Sequence, residues 1–317
     1  MTMAGNGAGN AAGTAPGREP GALPPPGLYS IASHRPFLAA LAGRILSASD
    51  VDDDPLALAR MTILLPTRRA CRAMQEVFLR LTDGAPLVLP RLFPIGDIDE
   101  DEMALTGEPA ALLGVDAEMP PAVPELRRRI LLARLLQARP VVGTQTLSVD
   151  HAMELAGELG RLLDQVQTER LDFDALESLV PDAYAAHWQE TLGFLKILTE
   201  TWPAVLDGEG AIDPADRRNR LLAARGEAWR RDPPRDPVIA AGSTGSIPAT
   251  ADLLATVAGL PTGYVVLPGL DRVLDGDSWA SLDAGHPQFG LRQLLQRLDV
   301  DRMNVGEWPG DRVAAGE

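Results

Sequence analysis

Residues 61–81 read Met-Thr-Ile-Leu-Leu-Pro-Thr-Arg-Arg-Ala-Cys-Arg-Ala-Met-Gln-Glu-Val-Phe-Leu-Arg-Leu. The first five are a short uncharged run, the pattern of a strand buried on both faces. Pro66-Thr67-Arg68-Arg69 then reads as a turn. From about Ala70 the period changes, and Met74, Val77, Phe78 and Leu81 share one face of a helix. The same grammar precedes it: Gly27 to Ala32 predicts a strand, Ser33-His34-Arg35-Pro36 a turn, and Phe37 to Leu46 a helix. Pro36 opens that helix, where its missing N–H costs nothing. A third strand is expected at Pro86-Leu87-Val88-Leu89-Pro90. Alternating strands and helices predict an α/β fold with a parallel sheet and right-handed crossovers.

Downstream the pattern stops and returns. From Pro124 to about Trp229 nothing reads as a strand. Leu126, Ile130, Leu131 and Leu135 mark one helix. Ser148 and Asp150 are candidate caps for a second, on which Val149, Met153, Ala156, Leu159, Leu163 and Val166 keep helical spacing. A third is expected over roughly 183–202. A fourth starts near Pro214 with Asp213 as N-cap. Strands return at Pro237–Ala241 and Gly263–Pro268, around the loop Gly242-Ser243-Thr244-Gly245-Ser246 and a helix from Ile247 to Ala258. A last helix is expected at Phe289–Leu298. The domain reading is a disordered Gly/Ala/Pro tail over 1–27, a discontinuous α/β domain over 28–123 and 232–300, an inserted all-helical subdomain over 124–231, and a truncated end over 301–317.

The chain has 317 residues, 45% hydrophobic and 23% charged, which excludes wholesale disorder. No apolar run approaches the roughly 18 residues of a membrane span, and the N-terminus lacks a signal-peptide core. Lone Cys71 excludes a disulfide framework and any Cys-based metal cluster within the chain, and its four histidines are widely separated. With that cysteine usage the expected compartment is the cytoplasm. Net charge is −15, so any contact with DNA must use a local basic edge.

Three strand–turn–helix junctions carry the candidate chemistry, because open parallel sheets bind ligands at the carboxyl ends of their strands. Ser33, His34 and Arg35 stand where a phosphate loop would, yet the turn has neither glycine nor lysine, and Pro36 removes a donor. The preferred reading is an ordinary βα turn, with a residual anion contact at Ser33, His34 and Arg35 as the other. Thr67, Arg68, Arg69 and Arg72 gather hydroxyl and guanidinium donors at a helix start, the kit of phosphate-backbone contacts, or else a solvated basic turn. Gly242, Ser243 and Thr244 sit in a loop like a phosphate-cradling nest, also without lysine. The acidic run Asp97, Asp99, Glu100, Asp101, Glu102 fits no Ca²⁺ loop and reads as a solvated charge run. Cys71, near a helix start, is either a low-pKa thiol or a packing residue, with packing preferred.

The order of segments is that of a known family. Tyr29–Phe37, Ile63–Ala70, Leu89-Pro90-Arg91 with Ile95-Gly96-Asp97, Ala240–Thr250 and Val266–Asp271 together resemble the N-terminal part of the AddB family. AddB is the second subunit of AddAB helicase–nucleases, here in an alphaproteobacterial form, and the likeness spans about residues 28–300. The resemblance implies a superfamily-1 helicase-like domain with a decayed nucleotide loop, whose Leu65-Pro66-Thr67 segment touches single-stranded DNA. It implies a double-strand-break repair complex with an AddA-type partner that acts on single-stranded or end-containing DNA. In the family that complex uses ATP and Mg²⁺, and an iron–sulfur cluster in a C-terminal nuclease. This chain is expected to hold none of these and to be non-catalytic. The alternatives from other classes are an ATP-binding helicase-type enzyme with an atypical phosphate loop, and a decayed partner-binding fragment.

Overall fold

The computed structural model describes residues 22–49, 51, 53–96, 119–138, 147–171 and 197–310. Six strands form one all-parallel sheet: β1 Gly27–Ile31, β2 Thr62–Leu65, β3 Arg91–Pro94, β4 Val238–Ala241, β5 Gly263–Pro268 and β6 Gly306–Glu307. Their spatial order is β3-β2-β4-β5-β1-β6. Between them run α1 Phe37–Ser47, α2 Ala57–Arg60, α3 Arg68–Leu81, α4 Glu125–Ala138, α5 Val149–Glu169, α6 Trp202–Glu209, α7 Pro214–Arg231, α8 Pro248–Ala258, α9 Gly276–Ala280 and α10 Phe289–Arg297.

Both faces of the sheet are covered, which is why β2 and β4 are apolar without alternation. Ile63, Leu65, Ile239, Ala241 and Val266 pack under α1, α2 and α3. Leu64, Val238, Ala240, Val265 and Leu267 face α7, α8 and α10. The helical stretch between β3 and β4 has a core of its own, where Leu132 and Leu136 of α4 meet Ala156 and Leu159 of α5 and Trp202 of α6.

Several local expectations shift. The run Pro86–Pro90 forms no strand; the chain pairs four to five residues later, Arg91–Pro94 against β2. Prolines at both ends remove the ladder donors that an 86–90 strand would need, whereas Pro94 is tolerated on an edge strand. Leu126 and Val149 are exposed, and buried Arg128 occupies the inner face of α4 instead. Leu81 is likewise exposed at the end of α3. The sheet continues past residue 300: β6 pairs with β1, and buried Trp308 stacks edge-on against Tyr29 and Tyr264. Order also begins before residue 28, since Gly27 opens β1, Pro24 is buried and Tyr29 donates to the Pro25 carbonyl at 2.6 Å. Residues 1–21 of the expected tail, the acidic run 97–102 and the helix over 183–196 lie outside the described residues.

Candidate functional site

In a right-handed crossover, the direction of travel across the sheet decides which face the helix covers. From β1 and from β2 the chain moves one way, placing α1 and α3 on one face. From β4 and β5 it moves the other way, placing α8 and α10 on the opposite face. Neighbouring strands therefore part company twice, between β2 and β4 and between β5 and β1. Such switch points open a crevice at the carboxyl edge. Each holds one or more of the sequence's candidate turns.

At the β2–β4 switch point, Gly242 is the meeting place of all three junctions. Its φ is +78°, which favours glycine, and an added Cβ would lie 3.2 Å from Phe37 Cε1 and 3.6 Å from Pro66 Cδ. The β3 exit joins them: Gly96 N donates to the Pro66 carbonyl at 3.1 Å. Thr67 is the N-cap of α3, its Oγ1 accepting from Ala70 N at 3.1 Å. Arg69 and Arg72 are exposed and Arg68 is half-buried at the same helix start. Across the crevice Gly242 N donates to Val266 O, and Ser243 Oγ accepts from Gly245 N at 3.2 Å. Thr244 packs against Gly290 at the start of α10. The nest is thus partly closed on itself, and the helix start that carries Arg68, Arg69 and Arg72 follows Pro66 directly.

At the β5–β1 switch point, Ser33 and His34 are exposed. Arg35 turns back, and its Nη1 donates to the Trp308 carbonyl at 3.2 Å. A Cβ on Gly310 would fall 2.5 Å from that guanidinium. Pro36 occupies the N-cap of α1 with no side-chain cap. These residues fit a nucleoside triphosphate poorly: the Arg35 side chain and Arg35 N are both engaged, Pro36 has no N–H, and the turn has no glycine or lysine. On the neighbouring exit, the Asp271 carboxylate accepts from Val273 N and Leu274 N, which holds its pKa below the usual range.

Cys71 is a packing residue. It is buried beside Met74 and Phe78, and burial pushes its thiol up to about 11. Among the described residues no group of three or more His, Cys, Asp or Glu is arranged to hold a metal ion. No helix there is long and apolar enough to cross a membrane. A cleft of about 600 Å³ between α7 and α8 has polar groups that are already engaged: Arg230 donates to Thr256 Oγ1, and Asp252 binds Arg170 and Arg297.

Sequence reasoning missed the buried cluster around Asp213. This residue does stand at the N-cap of α7, but its side chain caps nothing. Instead its carboxylate pairs with Arg128 at 2.8 Å and accepts from Trp202 Nε1 and Gln167 Nε2. The signal available in sequence was Arg128, a charge set among the apolar positions of α4.

The fold and its loops define an all-parallel α/β protein whose turns converge on two carboxyl-edge crevices. The chain matches no protein-family model and no curated protein.

Proposed function

We propose that the chain is a non-catalytic N-terminal module of a double-strand-break repair helicase–nuclease subunit of the AddB type. It holds single-stranded DNA in the cytoplasm and scaffolds an AddA-type partner. In this reading the sheet is a superfamily-1 helicase-like domain and the stretch between β3 and β4 is its inserted subdomain. One observation carries it: Gly242 packs Phe37 and Pro66 together, so Thr67–Arg69 and Gly242–Thr244 flank one crevice at a switch point. Arginines at a helix start suit backbone phosphates, and the engaged Arg35 speaks against a working ATP loop.

The test is an Arg68→Ala, Arg69→Ala double variant of the full chain, titrated against fluorescent oligothymidylate between 50 and 200 mM salt. The expected outcome is weaker binding with a logarithmic salt slope shallower by about 1–2. An unchanged affinity and slope overturns the assignment.

A further inference from the structure

Arginines in this acidic chain commonly meet a carboxylate, as Arg60 meets Asp54, Arg127 meets Glu209 and Arg128 meets Asp213. Two neighbouring ones do not among the described residues. Arg225 of α7 sits over the rings of Trp229, at 4.9 Å, and Phe93, at 5.9 Å. Arg91 opens β3 two residues before Phe93, so strand alternation puts both on the face that α7 covers. Its Nη2 donates to the Arg60 carbonyl at 3.1 Å, a neutral acceptor. With 44 acidic and 29 basic residues to arrange, this chain has carboxylates to spare, yet these two arginines, both on the Phe93 side of β3, meet none among the described residues.

We propose that Arg91 and Arg225 form an anion site that takes a phosphate group, carried by a nucleic-acid strand or by a free phosphoryl compound. The two rings hold the Arg225 guanidinium by cation–π attraction at 4.9 and 5.9 Å. The N–H groups that bind phosphate two at a time lie in the guanidinium plane. Burial and the adjacent Arg91 charge pull Arg225 down to about 10, so it remains a cation at neutral pH but an uncompensated one. A bound anion compensates that charge and the repulsion from Arg91. Arg91 lies toward the amino edge of the sheet, paired with Thr62, and β3 leaves at its other end beside Pro66 and the crevice. The inference does not rest on that crevice binding DNA, because free phosphate alone tests it.

The experiment follows the thermal midpoint of the full chain against inorganic phosphate at constant ionic strength, and the anisotropy of fluorescent oligothymidylate. The variants are Arg225→Lys, Arg225→Gln and Arg91→Gln, with Arg161→Gln on α5 as control. Phosphate is expected to raise the midpoint of the parent and the control, and to do so about tenfold less effectively in the other three. Arg225→Lys keeps the charge and loses the planar fork, so its loss separates a shaped site from mere positive potential. If oligothymidylate binding weakens in step, the phosphate is that of a strand; if only the phosphate response changes, it is a free phosphoryl group. An equal phosphate response in parent and variants, or none in the parent, overturns the proposal.

Discussion

The carboxylate of Asp213 accepts from Trp202 at 2.9 Å and Gln167 at 2.7 Å and pairs with Arg128, so one side chain fastens four helices. Removing it leaves the Arg128 charge buried without this partner. Asp213→Ala should therefore cost about 3–5 kcal/mol in urea unfolding, while an Arg128→Met, Asp213→Leu double variant should recover much of the loss. Cys71 gives a pH test. Its thiol ordinarily ionises near 9.0, and in the folded chain near 11. Between these values the unfolded chain has lost the proton that the folded chain keeps, so the thiol's stabilising contribution falls as pH rises from 9 to 11. Relative to Cys71→Ala, the parent should lose stability across that window, and its thiol should resist a disulfide reagent at pH 8 until the chain is unfolded. An unchanged difference between the two chains from pH 8 to 11 would contradict this.

Among the turns at the crevice, Gly242 has little freedom to vary. A side chain there meets both a left-handed backbone and the Phe37 ring at 3.2 Å. Gly242→Ala should cost about 1–3 kcal/mol and weaken oligothymidylate binding, since the left-handed backbone is strained and the Phe37 ring beside Pro66 must give way. A variant of parental stability and affinity would mean that the three turns are not coupled. Most elements were legible in sequence because their apolar residues keep one period. β2, β4, β5, α1, α8 and α10 lie within a residue or so of expectation, and α3 starts two residues early. Ser148 caps α5 as its residue type suggests. What failed was local competition. Two prolines defeated an apolar run at 86–90, and the pairing edge passed to a segment that begins with a charged residue. Strand β6 is two residues long, too short to leave a pattern.

At the scale of the whole molecule, the candidate turns were legible but their arrangement was not. Nothing in the spacing of apolar residues says that β4 lies beside β2, or that β5 lies beside β1. Those neighbours create the crevices, and they follow from pairing across a long helical interval. Besides the buried packing of α7 on the sheet, an ionic link joins the helical stretch to the α/β layers at Asp252, which receives Arg170 of the α5 C-cap at 2.6 Å and Arg297 of α10 at 2.5 Å. All three are well exposed, so the link is weak and screened by salt. Asp252→Asn should lower stability by less than about 1 kcal/mol at low salt and by nothing measurable at 1 M salt.

The position of β1 sets the order in which the molecule can be made. Its sheet neighbours are β5 and β6, and Ser30 bonds a carbonyl 237 positions further along. At roughly 5–20 residues per second, a ribosome leaves this strand without a neighbour for about ten to fifty seconds. The α4–α5 pair, by contrast, needs only local partners and closes as soon as it emerges. The first strand of this sheet to be made is thus among the last to be paired, and its open edge is where a chaperone would have to wait.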